Sequence, residues 1–546
     1  MTVWINRYSE ERVRARERSA PADGPLAGVR FAVKDNLDVA GLPTTAACPA
    51  LADRVAEADA EAVARLAAAG AVPVGKTNMD QFATGLVGTR SPYGACHSVF
   101  AADRVSGGSS SGSAVAVARG DVPLALGTDT AGSGRVPAAF NGIVGIKPTR
   151  GLVSTRGLLP ACRSLDCVTA FTRTVAEGRT ALRAMAGFDP GDPWSRAAPA
   201  VPPPGIAASL RIVAVPAGPL DLDPGHDAAW QAAVARARTV FDAVVEVDIT
   251  PFLAAARLLY AGPWPAERFA AFGALLTPDG PHLDPTVRRI ALAGRDVDGA
   301  DVFAGLDRLA ELRRATEPVW WEVDTLMLPV TPGHPTLAEV AADPVGVNAR
   351  LGTYTNFVNL LDLAAVAVPA GTRADGLPFG VQFVAPAFAD EPLLDAAARW
   401  CGEPCADPAP APGRVLLAVA GAHLSGLPLN GQLLSFGARL HRRTRTAAGY
   451  RLFRLPGPGI PRPGLVAGGD GLAAGIAVEV WDVPEQGVGW LLSRIPAPLG
   501  LGRVTLADGT SVAGFVTVEG AVRDAEDVSR YGSWRRVLAA ADGSPG

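Results

Sequence analysis

The 546 residues of this chain carry a net charge of −4, and 48% of them are hydrophobic and 19% charged. This balance is typical of a soluble globular enzyme and gives no reason to expect nucleic acid or an anionic membrane as a partner. No segment reaches the uninterrupted apolar length of a membrane span. Residues 1–18 are charged and lack an apolar core, so we expect no signal peptide.

The first third of the chain alternates predicted helices and strands. Residues 59–70 have apolar side chains at helical spacing and end in glycine, and residues 71–75 predict a short strand. A second helix is predicted over 111–120 and a second strand over 122–126. This alternation predicts an α/β domain with a mostly internal sheet.

Two later segments divide the rest of the chain. Residues 187–208 are rich in Pro, Gly, Ala and Asp and predict an excursion, after which the strand pattern resumes. Residues 403–413 form a Pro/Ala-rich stretch that is typical of a semi-rigid linker. We therefore expect one domain over 1–402 and a smaller one over 414–546.

The cysteines and histidines do not form a recognisable pattern. The six cysteines are scattered and the six histidines do not cluster, so neither a disulfide framework nor a zinc site is predicted. Cys401 and Cys405 are closely spaced, but no second Cys or His pair lies near them. We expect no metal, no cofactor and a cytoplasmic location.

Two Gly/Ser-rich segments and an upstream lysine carry the predicted chemistry. Residues 105–113 read VSGGSSSGS, residues 127–135 read GTDTAGSGR, and Lys34 lies in FAVKDN. Glycines let backbone N–H groups approach a ligand closely, serines can relay a proton, and a nearby base can activate a serine. These residue types indicate a serine hydrolase whose base is an amine.

Lysine is rare in this chain. Lys34, Lys76 and Lys147 are its only lysines, whereas arginine is abundant. A guanidinium cannot be deprotonated in a protein, so a position that requires a base must keep its lysine. The motif context favours Lys34 as that base, whereas a surface or structural role is favoured for the other two.

Two other interpretations of the Gly/Ser segment at 105–113 are disfavoured. A flexible linker is unlike it, because apolar residues follow at once at helical spacing. A phosphate-binding loop would end in Gly-Lys-Ser or Gly-Lys-Thr, which the segment lacks.

These segments resemble the amidase signature family, as do Leu328–Pro332 and Gly376–Gln382 further along the chain. The resemblance implies Ser133 as the nucleophile, Ser109 as a bridging serine and Lys34 as the base. The two serines are 24 residues apart, the separation that the family uses.

The same resemblance implies a fold and an assembly. It implies an α/β fold in which a mixed twisted sheet lies between helices, followed by a smaller α+β domain similar to γ-glutamyl cyclotransferase. It places the oxyanion hole at the backbone N–H groups around Thr130, Ala131 and Gly132. A homodimer is the assembly that the family suggests.

Departures from the broad family pattern narrow the resemblance. Ser111 stands where many amidases have Gly, and Ala131 and Gly134 stand where Gly and Ile are common. Together with residues 160–168 and 259–268, these positions resemble the allophanate hydrolases within the family.

That narrower resemblance implies two substrate-binding residues. Arg268 would pair with the substrate carboxylate, for which a bidentate arginine is a natural anchor, and Tyr260 would orient it. Pro263 and Pro265 lie between them, so we expect a bend rather than a continuous helix. The alternative is a surface arginine beside a packed tyrosine.

The C-terminal region resembles the C-terminal domain of allophanate hydrolases at residues 421–430, 442–446 and 495–502. The resemblance implies that the amidase domain converts allophanate to ammonia and N-carboxycarbamate and that the second domain promotes decarboxylation. His423 is the candidate residue there, with Arg443 and Arg445 as anion-binding groups. The alternative is a structural histidine beside a solvated strand face.

Other functions stay open at this point. One is a different small-acid amidase, malonamidase-like, whose C-terminal domain serves only in assembly. A glutamine-dependent amidotransferase is less favoured, because the C-terminal domain and the Tyr260 segment do not suit it. The sequence does not decide whether a separate urea carboxylase works with this enzyme.

Overall fold

The computed structural model describes residues 1–200, 202–276, 282–405, 408–409, 412–469 and 471–541. The predicted linker over 403–413 lies partly outside the described residues.

A mixed sheet of 11 strands forms the centre of the larger domain, in the order β1-β3-β2-β4-β6-β5-β10-β11-β9-β7-β8. Its strands are β1 (Trp4–Arg7), β2 (Arg30–Lys34), β3 (Val72–Thr77), β4 (Leu124–Asp129), β5 (Val144–Lys147), β6 (Cys167–Thr172), β7 (Ile212–Pro216), β8 (Ala243–Val247), β9 (Thr325–Pro329), β10 (Leu363–Thr372) and β11 (Pro378–Pro386). The central strands β2 and β4 are parallel, and every residue of β4 is buried. Burial on both faces is expected where helices cover both sides of a sheet.

The helices of this domain are α1 (Glu10–Ser19), α2 (Glu61–Ala68), α3 (Ser111–Arg119), α4 (Val136–Phe140), α5 (Val175–Met185), α6 (Pro224–Val240), α7 (Thr250–Ala261), α8 (Trp264–Phe272), α9 (Pro285–Leu292), α10 (Gly299–Thr316), α11 (Val319–Glu322), α12 (Leu337–Ala342), α13 (Gly346–Leu351), α14 (Asn356–Leu360) and α15 (Asp390–Cys401). The Gly/Ser segment runs directly into α3, which ends at Gly120 with φ of 81°. A glycine in this left-handed conformation is a common helix terminus.

The smaller domain contains a five-stranded sheet in the order β13-β16-β12-β18-β17 and a three-stranded sheet in the order β15-β14-β19. Its elements are β12 (Arg414–Val419), α16 (Asn430–Ser435), β13 (Arg439–Arg445), β14 (Tyr450–Leu455), β15 (Arg462–Ala467), β16 (Ala477–Pro484), α17 (Glu485–Leu492), β17 (Leu499–Thr505), β18 (Ser511–Thr517), β19 (Glu526–Asp527) and α18 (Trp534–Ala541). The predicted α/β fold with a smaller second domain is confirmed.

Strand β13 lies at one edge of the five-stranded sheet and contacts the larger domain. The Ala208 amide donates to the Leu440 carbonyl at 3.0 Å, and the Ser209 amide donates to the His441 carbonyl at 3.0 Å. An unpaired strand edge offers backbone groups for such contacts. The end of the excursion at 187–208 thus becomes a point of domain contact.

Candidate active site

Lys34, Ser109 and Ser133 form one line of hydrogen-bonded side chains. Lys34 Nζ lies 2.8 Å from Ser109 Oγ, and Ser109 Oγ lies 2.9 Å from Ser133 Oγ. The relative exposures of the three residues are 0%, 0% and 2%. A hydroxyl can donate and accept at once, so this line can carry a proton from Ser133 to Lys34.

Burial makes Lys34 suited to act as a base. It lowers the pKa of the ammonium group to about 7, against the opposing charges of Asp80, Asp166 and Asp129. Thr128 Oγ1 lies 2.7 Å from Nζ and holds the side chain in place. An amine with a pKa near neutrality can accept a proton without remaining permanently charged.

Asp35 does not counteract this effect, although it follows Lys34 in the chain. Successive residues of a strand point to opposite faces, and Asp35 Oδ1 lies 3.3 Å from Lys76 Nζ instead. Lys76 also donates to the Pro43 carbonyl at 3.0 Å. Lys76 is therefore a buried structural cation, which agrees with the structural role favoured from the sequence.

Ser109 is positioned by the tightly packed Gly/Ser segment. The Gly108–Ser109 peptide bond is cis. A Cβ at Gly108 would clash with the carboxylate of Asp80, which accepts hydrogen bonds from the amides of Gly88 at 3.0 Å and Arg90 at 2.9 Å. The small residues of this segment thus let a buried acid sit directly behind the bridging serine.

The nucleophile turn is held by a buried ion pair to which the sequence pattern assigned no role. Arg135 Nε lies 2.9 Å from Asp129, and neither side chain is exposed. Burial alone raises the pKa of Asp129, but the adjacent guanidinium outweighs it and holds the pKa below its ordinary value. The carboxylate also accepts from the amides of Gly132 at 2.8 Å and Gly134 at 3.0 Å.

The amides of the turn divide into two groups. The Gly132 N–H points to Asp129, so in this conformation it is not directed at a substrate oxygen. The amides of Thr130, Ala131 and Ser133 make no backbone hydrogen bond within the described part of the chain. These three are the donors that the turn offers for an oxyanion.

Tyr260 and Arg268 come together through the expected bend. Tyr260 lies at the end of α7 and Arg268 on α8, and the guanidinium carbon is 5.8 Å from the centre of the tyrosine ring. Arg268 is 1% exposed and donates to Thr84 Oγ1 at 3.1 Å, while its Nε has no protein acceptor among the described residues. A buried guanidinium with unused donors is suited to bind a carboxylate.

A carboxylate connects this arginine to the nucleophile turn. Asp166 accepts from Thr130 Oγ1 at 2.5 Å and from the Ala161 amide at 2.9 Å. Burial raises the pKa of Asp166 to about 6 in spite of these hydrogen bonds and of the nearby Arg268 charge. Asp166 lies within the segment 160–168, but the sequence pattern gave it no role of its own.

His423 lines a cavity of about 150 Å³ in the smaller domain. Its Nε2 lies 3.0 Å from Gln432 Oε1, and its ring stacks on Phe515. Burial lowers the pKa of His423. The described residues that line the cavity include Arg462 and Arg494 but no acidic side chain, so the cavity is suited to an anion.

The structure does not bring Arg443 and Arg445 to His423. Arg443 Nη1 lies 2.6 Å from Asp324 of the larger domain, and Arg445 donates to the carbonyls of Ala474 at 2.5 Å and Gly475 at 2.6 Å. Both arginines belong to the edge strand β13, which contacts the larger domain. The cations of the His423 cavity come instead from β15 and the end of α17, a proximity that sequence spacing does not indicate.

The described residues contain no cluster of three or more Cys, His, Asp or Glu side chains arranged to hold a metal ion. None of the described helices is both long and apolar enough to pass through a membrane.

Comparison with known proteins places the larger domain in a family. The model of the family described as Amidase matches residues 5–394. The chain belongs to the amidase family. A second model, the allophanate hydrolase C-terminal domain, matches residues 415–539.

Individual members of the amidase family and its fusions resemble most of this chain. A urea amidolyase of Lachancea kluyveri is 42% identical over 94% of the chain, but the match spans only 30% of that protein. The structure of Kluyveromyces lactis allophanate hydrolase matches with a TM-score of 0.71 and 39% identity, covering 98% of this chain and 93% of the other. The amidase component of a glutamyl-tRNA(Gln) amidotransferase of Symbiobacterium thermophilum is 36% identical over 68% of this chain and 82% of its own length.

Proposed function

We propose that this amidase is an allophanate hydrolase. Allophanate has an amide at one end and a carboxylate at the other. The observation that carries the proposal is the buried guanidinium of Arg268, which has unused donors and is linked through Asp166 to the nucleophile turn. The glutamyl-tRNA(Gln) amidotransferase relative matches 68% of this chain, and the second-domain match over 415–539 favours allophanate over glutamine.

In the proposed mechanism, Ser133 attacks the amide carbonyl of allophanate. Its proton passes to Ser109 while the Ser109 proton passes to neutral Lys34. The amides of Thr130, Ala131 and Ser133 stabilise the oxyanion. The protonated base then delivers a proton to the leaving nitrogen, ammonia departs, and water hydrolyses the acyl-enzyme to N-carboxycarbamate.

Ammonia release from allophanate, biuret and glutamine tests this proposal. We expect a strong preference for allophanate, because biuret and glutamine do not present the same small ureido carboxylate to Arg268. Ser133→Ala should lower this release by at least about 10³-fold, since it removes the nucleophile. Better turnover of biuret or glutamine by the wild-type protein would contradict the substrate, and an active Ser133→Ala variant would contradict the nucleophile.

We further propose that the His423 cavity promotes the decarboxylation of N-carboxycarbamate. In that step the bond between nitrogen and one carboxylate carbon breaks, carbon dioxide leaves, and nitrogen takes a proton to give carbamate. Arg462 and Arg494 supply positive charge for a dianion, and His423 is the group that can deliver the proton. This function replaces the arrangement with Arg443 and Arg445 that the sequence suggested.

Product analysis of a His423→Ala variant tests the second activity. We expect ammonia release from allophanate to continue at the first site, while N-carboxycarbamate accumulates and carbon dioxide appears only at the uncatalysed rate. The matched control is Arg445→Met, outside the cavity, which should leave decarboxylation unchanged. If His423→Ala releases carbon dioxide as fast as the wild type, the second domain serves only in assembly.

The biological context is a proposal of the same kind. We propose cytoplasmic nitrogen release from urea-type or cyanurate-type compounds and a homodimer. Because the relatives described above include a urea amidolyase, a separate urea carboxylase is the proposed functional partner.

A further inference from the structure

Two carboxylates lie close enough to Arg268 to influence its charge. The carboxylates of Asp166 and Glu267 both favour the protonated guanidinium electrostatically. A buried arginine ordinarily pairs with such a neighbour, because an unpaired buried charge is costly. Arg268 nevertheless forms no ion pair with any described residue and donates its hydrogen bond to Thr84 instead.

Each carboxylate is instead occupied by other donors. Glu267 accepts two hydrogen bonds from one residue, from the Ser164 amide at 2.7 Å and from Ser164 Oγ at 2.6 Å. Asp166 accepts from Thr130 Oγ1 and from the backbone of the preceding turn, all within a fully enclosed site. Glu267 is only half-buried and is held by a single residue, so it is the carboxylate that can be released.

We infer that Ser164 determines the specificity for carboxylate-bearing amides by holding Glu267 away from Arg268. Without its hydroxyl, Glu267 keeps one backbone hydrogen bond and turns its free oxygen towards the adjacent guanidinium. An internal carboxylate on Arg268 then competes with the carboxylate of the substrate. Ser164 is a positioning residue that acts through Glu267, and this inference rests on the carboxylate-binding role proposed for Arg268.

Kinetics on malonamate and malonamide test the inference, because these amides differ only in a carboxylate against a neutral amide. For Ser164→Ala we expect KM for malonamate to rise about tenfold, which corresponds to a competing interaction of about 1.4 kcal/mol, with kcat little changed. KM for malonamide should not change. Arg268→Ala gives the upper limit, with a larger rise for malonamate alone.

Two further variants separate competition from damage to the fold. Glu267→Gln removes the competing charge, so the double variant Ser164→Ala/Glu267→Gln should recover the low KM for malonamate. Ser164→Thr keeps a hydroxyl and should also retain it. A rise in KM for both amides, or a double variant no better than Ser164→Ala, would overturn the inference.

The outcome for the wild type keeps this test separate from the proposed function. If the wild type binds malonamate more tightly than malonamide but prefers it to allophanate, the substrate proposal fails while the role of Ser164 is still tested. If the wild type does not distinguish malonamate from malonamide, the carboxylate-binding role of Arg268 fails and the inference about Ser164 fails with it.

Discussion

Turnover of allophanate falls by at least about 10³-fold in a Lys34→Arg variant that keeps its fold, because general-base catalysis is lost. The substitution retains a cation at the end of β2 but replaces an amine that burial brings to a pKa of about 7 with a guanidinium that stays protonated. Steady-state ammonia release measures the loss, and thermal unfolding verifies the fold. Turnover like that of the wild type would exclude Lys34 as the base.

Lys76 provides the matched control, since it is a lysine on the neighbouring strand with the same complete burial. Its partners are Asp35 and the Pro43 carbonyl, and a guanidinium can satisfy both. Lys76→Arg should therefore retain turnover. Equal losses in the two variants would attribute the effect to overpacking rather than to the loss of a base.

The pH dependence of kcat/KM checks the same assignment without a substitution. The neutral amine is the active form, and burial holds the pKa of Lys34 at about 7. The rate should therefore rise with pH, reach half its limit near pH 7 and level off above it. A biuret or malonamide profile is preferable, because neither substrate titrates in this range. A profile that falls as pH rises through 7 would contradict a neutral amine as the base.

Sequence reasoning placed the proton relay because its information is local. Lys34 ends a strand, and the two serines lie in motifs with a characteristic separation. The parallel pairing of β2 with β4 then brings these motifs together, as the α/β alternation predicted. The bend between Tyr260 and Arg268 was also predictable, because two prolines fall between them.

The remaining parts of the site depend on contacts between distant segments. Arg135 lies in the second Gly/Ser-rich motif, but its acceptors include Gln382 at 2.9 Å and Asn359 at 3.1 Å, more than 200 residues away. The cations near His423 were misplaced for a related reason. Sequence pattern favoured the arginines of β13, whereas the sheet order places that strand at an edge and turns it towards the other domain.

The second large effect concerns stability. Arg135→Met should lower the free energy of unfolding by about 3–5 kcal/mol, because it leaves the buried charge of Asp129 without its partner. Urea unfolding at neutral pH measures the change. The matched control is Arg183→Met, whose ion pair with Glu391 is largely exposed and which should change stability by less than about 1 kcal/mol. Similar losses in the two variants would contradict this role for the buried pair.

The pH dependence of that loss identifies Asp129 as its origin. In the wild type, the pKa of Asp129 is depressed, so the ion pair contributes stability above the ordinary carboxyl pKa near 4. This contribution disappears as the pH falls through the depressed value. In Arg135→Met, burial without the guanidinium raises the pKa, so Asp129 takes up a proton early and its unpaired charge is removed. The difference in stability between wild type and variant should therefore shrink on acidification, whereas a loss caused only by altered packing would be independent of pH.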